Sequence, residues 1–305
     1  MIRTVLVIGE CMVEMAPRDG EAGSYRIGFA GDTFNTAWHL RRLLPGDHAI
    51  RYFTTVGDDA TSRDMLGFMQ SAGIETDHIR RIRDRRPGLY MIRHENGSHA
   101  FSYWRDTSAA RLLADDEGAL AAAFDGAGTV FLSGITLAIL DEAGRRRLFG
   151  AVERSGADLV FDPNIRLGLW PDRDVARSAI SQAAALARTV LPSFGDEQAL
   201  FGDATPGETI ARYHALGVRE VVVKDGGNPV WISAGGAIAP LAPPPPERPV
   251  VDATGAGDAF NAGYLAGRLT GDSPTGATAR GHRVAGQVIS VQGALLTGTE
   301  GGPAC

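Results

Sequence analysis

The sequence is poor in the residues that staple a small secreted protein or hold a structural metal. Its only cysteines in 305 residues, Cys11 and Cys305, are far apart, which gives no disulfide framework and indicates a reducing compartment. The seven histidines form no HExxH pattern and no His/Cys cluster, so a protein-held zinc ion is not expected. No run of about 20 apolar residues occurs, so no segment is expected to span a membrane. These absences predict a cytoplasmic protein.

An excess of positive charge is also missing. The 30 basic residues stand against 36 acidic ones, giving a formal charge of −6, which argues against a nucleic-acid binder or a general binder of anionic membranes. The arginines between residues 80 and 86 are a local exception, either a solvated face or a surface that steers an anionic ligand. Apolar residues make up 44% of the chain, enough for one large α/β domain or two modest ones.

Two common nucleotide-binding motifs are absent as well. Gly255-Ala256-Gly257 is not a dinucleotide fingerprint, because Phe260 stands where the third glycine would be and the motif lies late in the chain. No GxxxxGK[ST] motif occurs, which excludes a Walker-type P-loop. A nucleotide-dependent oxidoreductase is therefore disfavoured.

The pattern of apolar runs predicts an α/β fold. Residues 4–8 form a near-continuous aliphatic run, as expected for a buried central strand. From about residue 115 strand and helix patterns alternate, which predicts a mostly parallel sheet with helices on both faces. The predicted strands of this part are 129–132, 158–161, 189–191 and 220–224, followed by an edge strand at 229–233, because Pro229 suits an edge or a strand start.

Two polar segments are predicted to form a small sheet apart from the main fold. They are residues 11–31 and 86–106, and the second contains Asn96-Gly97, a strong hairpin-turn signal. We expect them to form a discontinuous β lid on a main domain made of residues 1–10, 32–85 and 107–305. The proline run 243–246 is either a stiff connection or a ligand for a partner domain.

The stretch from Asp252 to Phe260 has the most chemical content. Its glycines allow a ligand to approach the backbone, and a helix that begins there would direct unpaired N–H groups at an anion. Asp258 would lie beside that anion with a carboxylate able to accept a proton. An anion cradle next to a carboxylate is what phosphoryl transfer to a hydroxyl requires.

Residues 252–263 closely resemble the C-terminal motif of the PfkB (ribokinase-like) carbohydrate kinases. Residues 30–35 resemble the sugar-binding motif of the same family, with Ala30 where a glycine is usual. The resemblance covers essentially the whole chain. It implies a ribokinase-like three-layer α/β/α fold with a mostly parallel central sheet and a small β-sheet lid. ATP and Mg²⁺ are implied with it, a monovalent cation is a further candidate, and pairing of open-edged lid sheets implies a homo-oligomer, dimer or higher.

Three further segments, 9–14, 132–138 and 161–166, resemble the members of the family that phosphorylate 2-keto-3-deoxygluconate at its terminal hydroxyl. On this resemblance Asp258 is the catalytic base, and the amides of Gly255, Ala256 and Gly257 bind the transferring phosphoryl group. An acidic sugar needs cations, and arginine presents a fork that matches a carboxylate. The implied substrate-binding residues are Gly31, Asp32, Asn35, Tyr90, Tyr103, Arg105 and Arg166, together with Asp258.

The same resemblance implies a nucleotide site. Its residues are Ser193, Lys224, Gly226, Thr254, Gly255, Gly257, Ala285 and Val288, with Glu197 organising Mg²⁺ through water. Each assignment has a plainer alternative: Asp32 could cap a helix, Lys224 could end a strand in solvent, and Glu197 could be an ordinary first-turn carboxylate. A kinase of a neutral sugar such as fructose or ribose and a non-catalytic sugar sensor also remain open.

Overall fold

A computed structural model describes residues 3–18, 23–95 and 98–297. In chain order its strands are β1 (Arg3–Ile8), β2 (Met12–Pro17), β3 (Tyr25–Ala30), β4 (His48–Phe53), β5 (Thr55–Gly57), β6 (Arg80–Ile82), β7 (Leu89–Glu95), β8 (Ser98–Trp104), β9 (Ala127–Ser133), β10 (Asp158–Asp162), β11 (Thr189–Val190), β12 (Glu220–Val223), β13 (Val230–Ala234) and β14 (Ala237–Leu241). Its α-helices are α1 (Asp32–Leu43), α2 (Ala60–Ser71), α3 (Glu117–Phe124), α4 (Gly134–Ile139), α5 (Glu142–Ser155), α6 (Arg173–Leu186), α7 (Phe194–Phe201), α8 (Pro206–Ala215), α9 (Ala256–Leu269) and α10 (Pro274–Val288).

The main sheet has the strand order β14-β13-β12-β11-β10-β9-β1-β4. The pairs from β4 to β12 are parallel, and β13 and β14 are added antiparallel at one edge. The mostly parallel sheet is therefore confirmed. The predicted edge position of 229–233 is wrong, because β14 covers β13 on its outer side. Pro240 lies in β14, where an edge strand tolerates the missing N–H.

Two apolar cores lie on opposite faces of this sheet. In β1, Val5 and Val7 pack in the core that includes α1, α2, α9 and α10, whereas Leu6 and Ile8 pack in the core that includes α3 to α8. Successive side chains of a strand point to opposite faces, so one aliphatic run serves both cores. This gives the three-layer α/β/α arrangement.

A second sheet with the order β3-β2-β7-β8 stands apart from the main one. Its strands fall within the two segments predicted as a lid, although the domain boundaries themselves stay a prediction. The predicted Asn96-Gly97 turn and Cys305 lie outside the described residues. The chain enters this sheet directly from β1 and leaves it through β3 into α1 and through β8, so the small sheet is joined to the carboxyl edge of the parallel strands. In the described part of the chain, no helix is long and apolar enough to cross a membrane.

Candidate active site

The loop that precedes α9 ends at Gly255 and is held in one conformation. Gly255 has φ 77°, a left-handed conformation that favours glycine, and a β-carbon on it would lie 2.5 Å from the β-carbon of Ala294. The buried Asp252 fixes the loop on both sides, since its Oδ1 accepts from the Thr254 amide at 2.9 Å and its Oδ2 from the Gly293 amide at 2.9 Å. The first turn of α9, with Asp258 in it, is thus held beside residues 293–294.

Asp258 is held by the helix that follows the lid. The side-chain amide of Asn35 donates to Asp258 Oδ2 at 2.8 Å, and Asn35 Oδ1 accepts from the Gly31 amide at 3.2 Å. Burial raises the pKa of Asp258 well above its usual value, and the negative charges of Asp32 and Asp162 act in the same direction, while Asn35 and Lys224 oppose them. A carboxylate with a raised pKa is a stronger proton acceptor.

Lys224 does not end its strand in solvent. It is buried, and its Nζ donates to Asp162 Oδ2 and to Asn261 Oδ1, each at 2.9 Å. Asn261 in turn donates to Asp162 Oδ2 at 2.6 Å. The ammonium lies 3.9 Å from the position that a β-carbon of Gly257 would take, so it borders the glycine loop. A fixed positive charge therefore lies next to a helix start, the kind of position that binds anions.

Asp162, Asn164 and Asn261 belong to this site and were not among the predicted residues. Asn164 has φ 34°, and its side-chain amide donates to Asp32 Oδ2 at 3.0 Å. Gly31, not Asp32, occupies the N-cap position of α1, so the capping alternative for Asp32 is wrong. A signal was present in the sequence, because Asp162 and Asn164 come just after the predicted strand 158–161, whose carboxyl end meets those of its parallel neighbours.

The lid side of the site carries the predicted aromatic and basic residues. Arg105 is buried, and its Nη2 lies 2.5 Å from Glu10 Oε2, a residue that we did not predict. The Tyr90 hydroxyl donates to Glu14 Oε2 at 2.5 Å. Tyr103 pairs across the strands with Tyr90, with 5.9 Å between the ring centroids, and is exposed.

Arg166 reaches the same region from the loop after β10. Its side chain is 54% exposed, and its Nη1 donates to Asp196 Oδ2 at 3.1 Å. Partial burial raises the pKa of Tyr103, although about half of the side chain is exposed; the charges of Arg105 and Arg166 oppose that rise, and the charge of Asp32 adds to it. Arg105, Arg166 and Asp32 therefore all act electrostatically on Tyr103.

Glu197, predicted to organise magnesium, is completely buried. Its Oε2 accepts from Arg212 Nη2 at 2.6 Å and its Oε1 from the Tyr213 hydroxyl at 2.9 Å. Burial raises the pKa of Glu197 to about 7, although both neighbours oppose the rise. Its neighbour Asp196 is only partly buried, and the charges of Arg166, Asp162 and Lys224 act on its pKa. The carboxylate that faces the site is therefore Asp196.

The predicted nucleotide-binding residues also differ in how far they are buried. Ser193 pairs with Lys224 as an isolated bridge, and Gly226 is in the exposed turn that follows Lys224. Ala285 is partly buried on α10. Val288 is fully buried against the core around Ala259, so its burial does not favour a nucleotide contact.

Comparisons with known proteins agree over the whole chain. The family described as pfkB family carbohydrate kinase matches residues 3–299. A 2-dehydro-3-deoxygluconokinase of Dickeya dadantii is 37% identical over 306 residues, covering 96% of this chain and 97% of its own length. The corresponding enzyme of Escherichia coli K12 is 36% identical, with 97% and 98% covered. A ribokinase II of Escherichia coli, solved with ATP and Mg²⁺, has a TM-score of 0.82 at 22% identity, covers 97% of this chain and 95% of its own, and so shares the fold. The chain belongs to the PfkB family of carbohydrate kinases.

Proposed function

We propose that this kinase transfers the γ-phosphoryl group of ATP to the terminal hydroxyl of 2-keto-3-deoxygluconate, also called 2-dehydro-3-deoxygluconate. The observation that carries the proposal is the position of Asp258: Asn35 holds it at the start of α9, next to the glycine loop and Lys224. The substrate is suggested by two full-length relatives, 37% and 36% identical to this chain, that are named 2-dehydro-3-deoxygluconokinase.

In the proposed reaction Asp258 accepts the proton of the substrate hydroxyl as that oxygen attacks the γ-phosphorus. The first-turn amides of Gly255, Ala256 and Gly257 face the negative charge that develops on the transferring group. Lys224 adds positive charge at the same place, held there by Asp162 and Asn261. The protein therefore acts by positioning and by electrostatics, as phosphoryl transfer demands.

The carboxylate of the sugar acid is proposed to bind between Arg105 and Arg166. Arg166 is largely exposed and pairs with one carboxylate in the described part of the chain, so a substrate carboxylate can share or replace that contact. The charges of both arginines act on the hydroxyl of Tyr103, which lies on β8. Gly31, Asp32, Asn35 and Tyr90 are proposed to surround the sugar hydroxyls and carbonyl.

ATP is proposed to lie along Ser193, Lys224, Gly226 and Thr254 with its phosphates at the glycine loop. Among the described residues no group of three histidine, cysteine or acidic side chains could hold a metal ion, so Mg²⁺ is proposed to arrive with ATP. Magnesium neutralises phosphate charge, and Asp196 is better placed than Glu197 to contact its water shell. A monovalent cation, a homo-oligomeric state and a cytoplasmic location stay predictions.

Measuring ADP release over a panel of sugars tests the proposal. We expect 2-keto-3-deoxygluconate to give the highest kcat/KM among sugar acids, fructose and ribose. Faster turnover of fructose or ribose would show that the chain is a neutral-sugar kinase. In that case Arg105 would pair with Glu10 without binding a substrate carboxylate. No ADP release with any sugar, together with measurable sugar binding, would indicate the non-catalytic sensor.

A further inference from the structure

Glu10 lies where the main sheet passes into the lid, in the short segment between β1 and β2. It is 1% exposed and enclosed by two glycines. A β-carbon on Gly88 would lie 2.6 Å from Glu10 Oε1, and one on Gly31 would lie 2.2 Å from the Glu10 carbonyl oxygen. The carbonyl group and the carboxylate of Glu10 therefore occupy the space that a side chain at Gly31 or Gly88 would need.

Its only ionic partner among the described residues is Arg105, which directly follows β8 at the other junction of the lid. Arg105 is 6% exposed. A carboxylate buried without a partner is strongly unfavourable, and so is a buried guanidinium, so each group compensates the other. Buried ion pairs seldom add net stability over apolar residues of the same size, which favours a functional reason for this one.

The pair leaves hydrogen-bonding capacity unused. Arg105 Nη2 meets Glu10 Oε2 at 2.5 Å, whereas Glu10 Oε1 and Arg105 Nε are buried without a hydrogen-bond partner in the described part of the chain. The charge of Arg105 also acts on Asp32 and on Tyr103, both of them in the candidate site. Glu10 thus holds one corner of a guanidinium whose charge is directed at the substrate region.

We propose that Glu10 is a positioning residue that orients Arg105 toward the substrate carboxylate and so makes the enzyme selective for sugar acids. This inference rests on the proposed function. A simple charge argument predicts the opposite effect, because a negative side chain near an anionic substrate repels it. Orientation and repulsion can therefore be separated by experiment.

The test compares Glu10→Gln with the unaltered enzyme on two substrates that differ only at C1. One is 2-keto-3-deoxygluconate, and the other is 3-deoxyfructose, in which an alcohol replaces the carboxylate. Glutamine keeps the shape of the side chain but removes the charge that anchors Arg105. We expect kcat/KM for the acid to fall about tenfold, with less than about a twofold change for 3-deoxyfructose and for the KM of ATP.

A control is available in a second buried glutamate, Glu220, which pairs with the partly exposed Arg268. Glu220 accepts from Arg268 at 3.0 Å and 3.1 Å at the beginning of β12, away from the carboxyl ends of the strands. Glu220→Gln is expected to lower Tm while leaving the acid-to-alcohol ratio of kcat/KM unchanged. A purely structural effect of losing a buried carboxylate would lower kcat/KM equally for both substrates in either variant.

A lower KM for the acid in Glu10→Gln, or an unchanged acid-to-alcohol ratio of kcat/KM, would overturn the proposal. If Glu10→Gln does not fold, Arg105→Lys decides, because lysine keeps the charge but lacks the anchored fork. That variant must lose acid preference, and retained preference would also overturn the proposal. In a double-mutant cycle the two changes should not add. An unaltered enzyme that releases no ADP with 2-keto-3-deoxygluconate would instead contradict the proposed function.

Discussion

The candidate site has two parts that hold their charged groups differently. One is a phosphate end around Lys224, where we propose that ATP reacts, and the other is a lid side around Arg105 and Arg166. At the phosphate end, Lys224, Asp162 and Asn261 come from three separate elements and are joined by hydrogen bonds of 2.6–2.9 Å. On the lid side each arginine has one ionic partner in the described residues: Arg105 has Glu10 and Arg166 has Asp196. A cross-linked group stays in place whatever the substrate, whereas an arginine with one partner still has N–H donors for a ligand. Transfer chemistry is therefore assigned to the first region and substrate choice to the second.

The largest effect is expected at the phosphate end, where we propose that Asp258 accepts the proton. Asp258→Asn keeps the hydrogen-bonded shape but cannot accept a proton, so kcat should fall by about a thousandfold for acid and neutral substrates alike. Calorimetric titration should still detect ADP binding close to that of the unaltered enzyme. An active asparagine variant would remove Asp258 from the role of base.

The lid side should respond selectively. Arg166→Ala is expected to raise the KM for 2-keto-3-deoxygluconate about 30-fold through loss of a charge-assisted contact, with little change in the KM for ATP. Arg146 offers a control, since it is also exposed and pairs with one carboxylate among the residues that the structure describes, Glu142, but lies on α5. If Arg146→Ala raised the KM for the acid as much, general electrostatic steering would explain the result.

The boundary between the two regions passes through two consecutive carboxylates on α7. Asp196→Asn is expected to raise the Mg²⁺ concentration needed for half-maximal activity about tenfold, while Glu197→Gln should leave it unchanged. The reason is geometric, because Glu197 is buried under Arg212 and Tyr213 and Asp196 is not. The reverse pattern in a magnesium titration would restore the assignment of Glu197.

The smallest expected effect is a shift in the pH profile. Asp258 must be ionised to act, and burial raises its pKa, with Asp32 adding to the rise, so activity should fall on acidification at a higher pH than for an ordinary aspartate. Asp32→Asn removes a nearby negative charge and lowers the pKa of Asp258. The acid limb of kcat should therefore move to lower pH. An acid limb that stays in place or moves upward would separate Asp32 from the base.

The sequence predicted what depends on local pattern. The aliphatic run of β1, the strand–helix alternation and the glycine loop before α9 are each signalled by residues close together in the chain. The contacts of Lys224 with Asp162 and Asn261 join residues 62 and 37 positions apart, and no local pattern specifies such a network. Glu197 shows another limit: consecutive residues of a helix point about 100° apart, so the correct segment did not identify the correct carboxylate.

The pairing of Arg105 was likewise outside the reach of the sequence. Glu10 lies in a segment that resembles related kinases, and Arg105 was predicted to bind the substrate. The two residues are 95 positions apart and meet only because the lid joins the sheet at both places. The added strand β14 was missed for a different reason. Its burial pattern is almost entirely exposed, so it lacks the alternation that identifies a half-buried strand.

The most direct test of this account compares kcat/KM of the unaltered enzyme for 2-keto-3-deoxygluconate and for 3-deoxyfructose in the same assay. If Arg105 and Arg166 bind the carboxylate, the acid should be preferred by about a hundredfold, the combined contribution of two charge-assisted contacts. Equal values, or a preference for the alcohol, would contradict the assignment of substrate choice to the lid side.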